Sequence, residues 1–338
     1  MIRKLVQLFA VMLLLTIIGA VAIRYSGLRT ETMLSKSDGK IKVVTTFYPI
    51  YLIGLNIADQ VENVEVDSLT KLNTGCLHDY QLTTEDMKLI ATADVMVING
   101  GGMEGFLEDV TANYPNLTII DTSQGISMLP NINNTFANDT STAEEASKLG
   151  EYNAHVWLDP KLYMKQIENF RDGLLHYINN ADQGINLEIE KITKKINQNS
   201  DIYLNEVQQL DQQIENYSNR ITKSSEQKSI NRKAVIFHDS FAYLANYVGM
   251  EVTFTVPLDS DTALSAGDIA EIVDEVKAQD IKYLFTEQQY SDSIAKQIEE
   301  ETNAKVYIID SVVTGDGAKD SYLKSMINNL DVLKTATQ

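Results

Sequence analysis

Histidine is the residue type in this chain best suited to binding a metal, and three of its four histidines lie at the ends of predicted elements. His78 follows a predicted strand, His155 comes just before a long helical stretch, and His238 follows another strand. Ligands of open α/β sheets lie beyond the carboxyl ends of the strands. Neutral imidazole is a preferred ligand of zinc and similar divalent ions. The placement of these histidines therefore indicates a metal site assembled from separate parts of the chain.

Carboxylates at the ends of two later strands are candidates for a fourth ligand. Asp310 follows the predicted strand over residues 304–309, and Glu287 ends the segment IKYLFTE. Three imidazoles and one carboxylate would close a tetrahedral zinc site. The residues themselves leave open which carboxylate binds. An alternative function is a zinc-dependent hydrolase, in which one coordination position holds water and Glu287 serves as the general base.

The other residues with chemical potential are weaker candidates. His176 lies in the middle of the helical stretch and is interpreted as a surface residue. Cys76, two residues before His78, could be a soft ligand but is interpreted as a small packed side chain. The chain has no Gly-x-Ser-x-Gly elbow, Walker loop or His-Glu-x-x-His helix. We therefore predict a binding protein rather than an enzyme.

Composition excludes some classes of function. The 338 residues are 44% hydrophobic and 22% charged, a balance typical of a folded protein large enough for two lobes. The formal net charge of −19 disfavours nucleic acid as a partner, because phosphate repels a polyanion. With one cysteine, neither an internal disulfide nor a cysteine-rich structural zinc site can form.

The N-terminus predicts export from the cytoplasm. Arg3 and Lys4 precede an uncharged run from Leu5 to Ile23, close to the ~20 residues that span a bilayer as a helix. Basic residues before an apolar run are typical of a secretory signal or an N-terminal anchor. We predict a cleaved signal peptide or a membrane anchor over residues 1–24 and a linker over residues 25–40. The rest of the chain is then expected to be extracytoplasmic, either secreted or held at the cell surface.

Strand-like and helix-like segments alternate after residue 40, which predicts parallel sheets covered by helices. The expected fold class is therefore α/β, with one lobe over residues 41–159 and a second over residues 230–338. Between the lobes, residues 160–223 repeat apolar side chains at spacings of three and four, which predicts one long linking helix or two in tandem. Residues 122–153 are polar and lack this periodicity, so we predict a long surface loop.

These residues and motifs resemble a known family, the metal-binding solute-binding proteins of ABC importers for zinc and manganese (the zinc-uptake or cluster A-I family). The segment His155–Pro160 matches the family's His-x-Trp-Leu-Asp-Pro, and Phe237–Tyr243 matches its Phe-His-Asp-x-Phe-x-Tyr. Leu77–Thr83 resembles the family's first ligand segment, and Val43–Ile50 resembles its opening strand followed by Tyr-Pro. The resemblance covers roughly residues 40–335.

The resemblance implies two α/β lobes, each a mostly parallel sheet flanked by helices, joined by a stiff spanning helix. It implies a metal in the cleft between the lobes, held by His78 and His155 from the first and by His238 and Asp310 from the second. Because three imidazoles suit zinc better than manganese, Zn(II) is expected as the transported ligand and Mn(II) is the alternative. The expected partner is an ABC transporter permease in the membrane. The protein is expected to be a monomer, and a surface adhesin is a further alternative.

Overall fold

The computed structural model describes most of the chain after residue 38, in the stretches 39–77, 80–131, 152–180, 189–226, 231–256, 264–288 and 292–338. The predicted signal or anchor over residues 1–24 lies outside the described residues, as do His78 and most of the predicted loop over residues 122–153. Among the helices of the described stretches, none is long and apolar enough to cross a membrane. The fold described below belongs to one compact unit, formed by residues 41–181 and 188–338.

The first lobe is built on a four-stranded parallel sheet. Its strands are β1 (Ile41–Thr45), β2 (Val64–Ser68), β3 (Val95–Ile98) and β4 (Thr118–Asp121), in the order β2-β1-β3-β4. The helices that follow these strands are α1 (Tyr48–Ile57), α2 (Thr84–Thr92) and α3 (Leu107–Asn113). Parallel strands are covered on both faces and are therefore apolar along their length. Strand β3 fits this rule, because all four of its residues are buried.

The helical stretch predicted over residues 160–223 forms two helices, α4 (Pro160–Asn180) and α5 (Ile189–Glu226). They pack side by side, with the hydroxyl of Tyr163 on α4 only 3.1 Å from that of Tyr203 on α5. Helix α4 also packs on the first sheet, where the Gln166 side chain donates to Asn99 Oδ1 at 2.9 Å. The stretch is thus a pair of helices rather than a single rod.

Helix α5 links the two lobes. Its 38 residues are about 57 Å long at 1.5 Å per residue. In its first half, the Asn199 side chain donates to the backbone carbonyl of Ile57, at the end of α1. In its second half, the Tyr217 hydroxyl donates to the carbonyl of Leu333, in the C-terminal helix. One continuous helix is therefore fixed to both lobes.

The second lobe repeats the plan of the first. Its strands are β5 (Lys233–Ile236), β6 (Glu251–Thr255), β7 (Tyr283–Glu287) and β8 (Lys305–Ile309), parallel in the order β6-β5-β7-β8. Its helices are α6 (Ala242–Tyr247), α7 (Ala266–Ala278), α8 (Ser293–Glu301) and α9 (Ser321–Ala336). Buried residues of the strands and helices, including Val235, Leu284, Ile272 and Ile298, form one core. The predicted two-lobed α/β fold is confirmed.

The strand order places one crevice in each lobe. In both sheets the first strand of the lobe lies between the second and the third, so the chain connections run to opposite sides of it. Ligands of open α/β sheets bind at such a switch point, beyond the carboxyl ends of the strands. In the first lobe, Thr46 and Asn99 follow β1 and β3 at this point. In the second, His238 lies two residues after β5, and Glu287 ends β7.

Candidate metal site

The structure brings His155 and His238 together from opposite lobes. Both side chains are buried, with 0% and 1% exposure. Their rings meet edge to face, with centroids 4.9 Å apart. Cys76 completes a group of three, because its Sγ lies 3.3 Å from His155 Nε2. One donor atom from each of these residues lies within 4.8 Å of the other two, an arrangement that could hold a metal ion.

The imidazole of His238 is fixed by a buried carboxylate. Its Nδ1 is hydrogen-bonded to Glu287 Oε1. Ser240 donates to the same oxygen at 2.7 Å, and Ser311 donates to Oε2 at 2.8 Å. A hydrogen bond at one ring nitrogen sets the tautomer and leaves the other nitrogen as the ligand. This network therefore directs Nε2 of His238 toward the site.

Glu287 is engaged through both of its oxygens and is 1% exposed. A general base must be able to reach the proton that it removes. A carboxylate that holds a histidine and two serines is better suited to orienting the histidine. The geometry therefore favours a positioning role for Glu287 over the base of a hydrolase.

His155 is fixed in a similar way from the first lobe. Its backbone N and its ring Nδ1 each lie 2.9 Å from Asn153 Oδ1, so the amide oxygen accepts from both. Asn153 is held in turn by the second lobe, because its Nδ2 donates to the Asp239 carbonyl at 2.8 Å and its own carbonyl accepts from the Tyr243 hydroxyl at 2.6 Å. Nε2 of His155 is thus left on the side of Cys76.

Asp239 is a site residue that the sequence prediction missed. Its Oδ1 lies 3.5 Å from His155 Nδ1 and 3.4 Å from His238 Nε2. Its side chain is 24% exposed, far more than either histidine. The only signal for it in the sequence is its position directly after His238, in the matched Phe-His-Asp segment. It supplies negative charge where a cation approaching the imidazoles would pass.

Asp310 is held by groups of its own lobe. One carboxylate oxygen accepts from the Val312 backbone N at 2.7 Å, and the other accepts from Ser325 Oγ at 2.6 Å. The residue lines a cavity of 360 Å³ together with Tyr48 and Lys324. Within the described residues, it is not part of the three-residue group of donor atoms. Its role as a ligand stays a prediction, as does that of His78, which lies outside the described residues.

A buried carboxylate supports the site from the first lobe. Glu104 Oε1 accepts from Thr46 Oγ1 and from the Asn99 backbone N, both at 2.7 Å, and Oε2 accepts from the Gly100 N at 3.1 Å. The Asn99 side chain then donates to the carbonyl of Ala154, next to His155, at 2.9 Å. Burial raises the pKa of Glu104 to about 7, against the lowering effect of these hydrogen bonds.

The turn that contains Gly100 and Glu104 has the glycine spacing of a nucleotide-binding loop. Residues 100–105 read Gly-Gly-Gly-Met-Glu-Gly, which fits Gly-x-Gly-x-x-Gly. In nucleotide-binding folds the backbone N–H groups of such a turn face phosphate. Here the backbone N–H of Gly100 donates to the Glu104 carboxylate instead. The turn is therefore filled by the chain's own carboxyl group.

The lobes are tied together beside the site. Trp157, two residues after His155, donates from its indole nitrogen to the Ser311 carbonyl at 2.8 Å. The Tyr322 hydroxyl of α9 donates to the carbonyl of Trp157 at 2.8 Å. The Tyr322 ring also stacks on Tyr163 of α4, with centroids 3.7 Å apart. These contacts join the two lobes next to the paired histidines.

The two-lobed fold is that of metal-binding solute-binding proteins. The chain belongs to the family described as zinc-uptake complex component A, periplasmic (ZnuA), whose model matches residues 43–336. The resemblance inferred from the sequence motifs is confirmed by this match.

Curated relatives cover most of the chain at low identity. The iron-binding protein YfeA of Yersinia pestis is 27% identical over 318 residues, which are 93% of this chain and 92% of YfeA. The zinc-binding lipoprotein AdcA of Streptococcus pneumoniae is 26% identical over 308 residues, which are 89% of this chain but 57% of AdcA. The chain therefore spans little more than half the length of that relative.

Solved structures share the fold. The solute-binding protein FpvC of Pseudomonas aeruginosa in complex with Mn²⁺ has a TM-score of 0.70 and 23% identity, covering 88% of this chain and 99% of FpvC. The Zn(II)-bound ZnuA-like domain of Streptococcus pneumoniae AdcA has a TM-score of 0.67 and 23% identity, covering 88% and 99%. At this identity, the likeness concerns the fold alone.

Proposed function

We propose that this protein captures a divalent transition metal outside the cytoplasm, Zn(II) first among them, and delivers it to the permease of an ABC importer. The main support for this proposal is the pair of buried imidazoles of His155 and His238. Each has its Nδ1 held by a buried acceptor, Asn153 or Glu287, which leaves Nε2 to bind a metal. The family and the names of the relatives, zinc-binding and iron-binding, support the same class of ligand.

The mechanism is capture without a chemical reaction. The cation approaches past the partly exposed Asp239 and loses its water as the imidazole nitrogens bind. His155 comes from the first lobe and His238 from the second, so one bound ion joins both. His78 is proposed as a third ligand. A fourth ligand closes the shell, and Asp310 is the sequence prediction for it.

Zinc is proposed over manganese because of the ligand type. Imidazole nitrogens suit zinc, copper, iron and nickel, whereas manganese prefers sites rich in carboxylate and water oxygen. The site is built on buried imidazoles and is enclosed by aromatic side chains such as Trp157. Mn(II) is retained as the second candidate, since the structurally similar FpvC was solved with Mn²⁺.

Location and partner follow from the proposed role. A protein that captures metal for an importer must work outside the membrane, in agreement with the predicted signal or anchor over residues 1–24. The permease would bind the two lobes in the arrangement that they adopt when the metal bridges them. We propose that the protein acts as a monomer and without enzymatic activity, since the oxygens of Glu287 are both engaged with protein groups.

Calorimetric titration of zinc and of manganese into the metal-stripped full chain, in mild detergent, tests the proposal. We expect one zinc ion per chain, tighter binding of zinc than of manganese, and loss of zinc binding in His155→Ala. His176→Ala is the matched control, because His176 lies exposed on α4 and its substitution should leave the titration unchanged. A chain that binds neither metal would refute the proposal.

A further inference from the structure

We infer that Cys76 is a direct ligand of the captured metal, beside His155 and His238, at the position predicted for Asp310. This inference rests on the proposed function and goes beyond it, because it replaces the oxygen ligand expected at that position with sulfur. Cys76 follows β2 in the chain and belongs, with His155 and His238, to the group of donor atoms that could hold a metal ion. It is the chain's only cysteine, so no thiol within the same chain can pair with it.

The distances fit coordination to one ion. With zinc–sulfur and zinc–nitrogen bonds of about 2.3 and 2.0–2.1 Å, a sulfur and a nitrogen ligand of a tetrahedral zinc lie about 3.6 Å apart. The distance from Cys76 Sγ to His155 Nε2 is 3.3 Å. The donor atom of His238 lies within 4.8 Å of both. A small adjustment of the half-buried Cys76 side chain would bring all three onto one ion.

The alternative ligand is held elsewhere. Both carboxylate oxygens of Asp310 already accept hydrogen bonds, from Val312 and Ser325. Using Asp310 would require breaking at least one of these bonds. Cys76 instead contacts His155 directly, with Sγ 3.3 Å from Nε2, and also contacts the buried Met103 Sδ at 3.9 Å. The thiol thus lies in direct contact with one of the two proposed imidazole ligands.

Sulfur ligation would define the class of metal. Thiolate binds zinc and other soft or borderline cations, whereas manganese and magnesium prefer oxygen. On binding, Cys76 gives its proton to solvent and the sulfur donates an electron pair to the ion. A shell of imidazoles and one thiolate therefore selects zinc over manganese more strongly than imidazoles and a carboxylate would.

Cobalt(II) is the probe that tests this inference. Thiolate bound to cobalt gives an intense charge-transfer absorption in the near ultraviolet, which nitrogen and oxygen ligands lack. The full chain, metal-stripped and kept reduced, is titrated with cobalt(II) and, separately, with zinc and manganese. The variants are Cys76→Ser, Cys76→Ala, His155→Ala and, as a matched control, His176→Ala.

We expect the wild type and His176→Ala to show the charge-transfer band and both Cys76 variants to lack it. Zinc affinity in Cys76→Ser should fall by at least about tenfold, the lower end of what even outer-sphere partners of a metal ligand contribute. The manganese affinity of Cys76→Ser should fall by a smaller factor. The ratio of zinc affinity to manganese affinity should therefore be lower in the variant than in the wild type.

Two outcomes would overturn the inference in distinguishable ways. If the wild type binds zinc one-to-one and His155→Ala abolishes it, but cobalt gives no band and Cys76→Ser keeps its zinc affinity, the proposed function stands and Cys76 is only a packed side chain. If the wild type binds neither zinc nor cobalt, the proposed function fails as well. The charge-transfer band is measured on the wild-type protein itself, so misfolding of Cys76→Ala cannot mask the result.

Discussion

At the scale of residues, the site depends on what holds each imidazole. A histidine binds metal through one nitrogen only when the other is fixed. Here the fixing groups differ: an amide oxygen for His155 and a carboxylate for His238. The carboxylate also strengthens the basicity of its imidazole, so the His238 side of the site should be the more sensitive to substitution of the group behind it.

Substitution of Glu287 by Gln should therefore weaken zinc binding without abolishing it. The amide oxygen of Gln can still accept the hydrogen bond from His238 Nδ1. The variant lacks the negative charge that the Glu287 carboxylate places next to the ring. Loss of such a partner costs about 10- to 100-fold in metal affinity. Competition with a zinc chelator measures the change, and Glu300→Gln, at an exposed position of α8, is the matched control. Equal affinities for Glu287→Gln and wild type would contradict a positioning role.

Glu104 gives a prediction for stability against pH. Its pKa is raised from 4.5 to about 7 in the folded protein, first of all by burial. The folded state therefore holds this proton over a range in which the unfolded chain has lost it. The contribution of Glu104 to the free energy of unfolding is fully present below pH 4.5 and is lost as the pH rises through about 7.

A comparison of metal-free wild type with Glu104→Gln isolates this contribution. The difference in free energy of unfolding, wild type minus variant, should become less favourable to the wild type between pH 4.5 and pH 7. Denaturant unfolding at several pH values measures it, and the histidines, common to both proteins, cancel. A difference that is constant with pH would show that folding does not raise the pKa of Glu104.

At the scale of elements, most strands and helices were predictable from the sequence. Strands that are buried on both faces, for example, appear in the sequence as short runs of apolar residues. The strand predicted over residues 304–309 begins one residue earlier than β8 does. The pairing of α4 with α5 was not predictable, because the same apolar spacing serves a single rod or two packed helices. The approach of Cys76 to His155 was likewise not predictable, because the two residues lie 79 positions apart in the chain.

Asn199 shows how α5 stabilises the first lobe. Its side chain donates to the carbonyls of Ile57 and Asp59, at the end of α1, at 2.9 and 2.8 Å. Helix ends leave such carbonyls without partners inside the helix. Asn199→Ala should lower the free energy of unfolding by about 1–3 kcal/mol, the cost of leaving buried polar groups unsatisfied.

Denaturant unfolding tests this, with exposed Gln198→Ala as the neighbouring control. Zinc affinity should stay close to that of the wild type, because the Asn199 amide donates to the end of α1 and not to His155 or His238. An unchanged stability in Asn199→Ala would show that water replaces the amide at no cost.

At the scale of the whole molecule, direct hydrogen bonds join the two lobes. The hydrogen bonds of Trp157 and Tyr322 and the link through Asn153 cross from lobe to lobe. Helix α5 runs along both. The family resemblance made two lobes and a stiff helix predictable from the sequence. These cross-lobe hydrogen bonds were not predictable, because they join residues far apart in the chain.

Metal binding should accordingly cause little domain movement. Rotation of the lobes away from each other would break the cross-lobe hydrogen bonds, and a continuous helix offers no hinge. Small-angle scattering of the metal-free and zinc-loaded protein should give superimposable curves. A clear compaction on adding zinc would show that the lobes separate in solution and close around the ion.

Anomalous diffraction at the zinc edge, from crystals grown with equimolar zinc, would show whether zinc binds between His155 and His238. We expect one strong peak about 2.0–2.1 Å from Nε2 of both histidines. A peak at another place, with the two imidazoles still in contact only with protein, would contradict it.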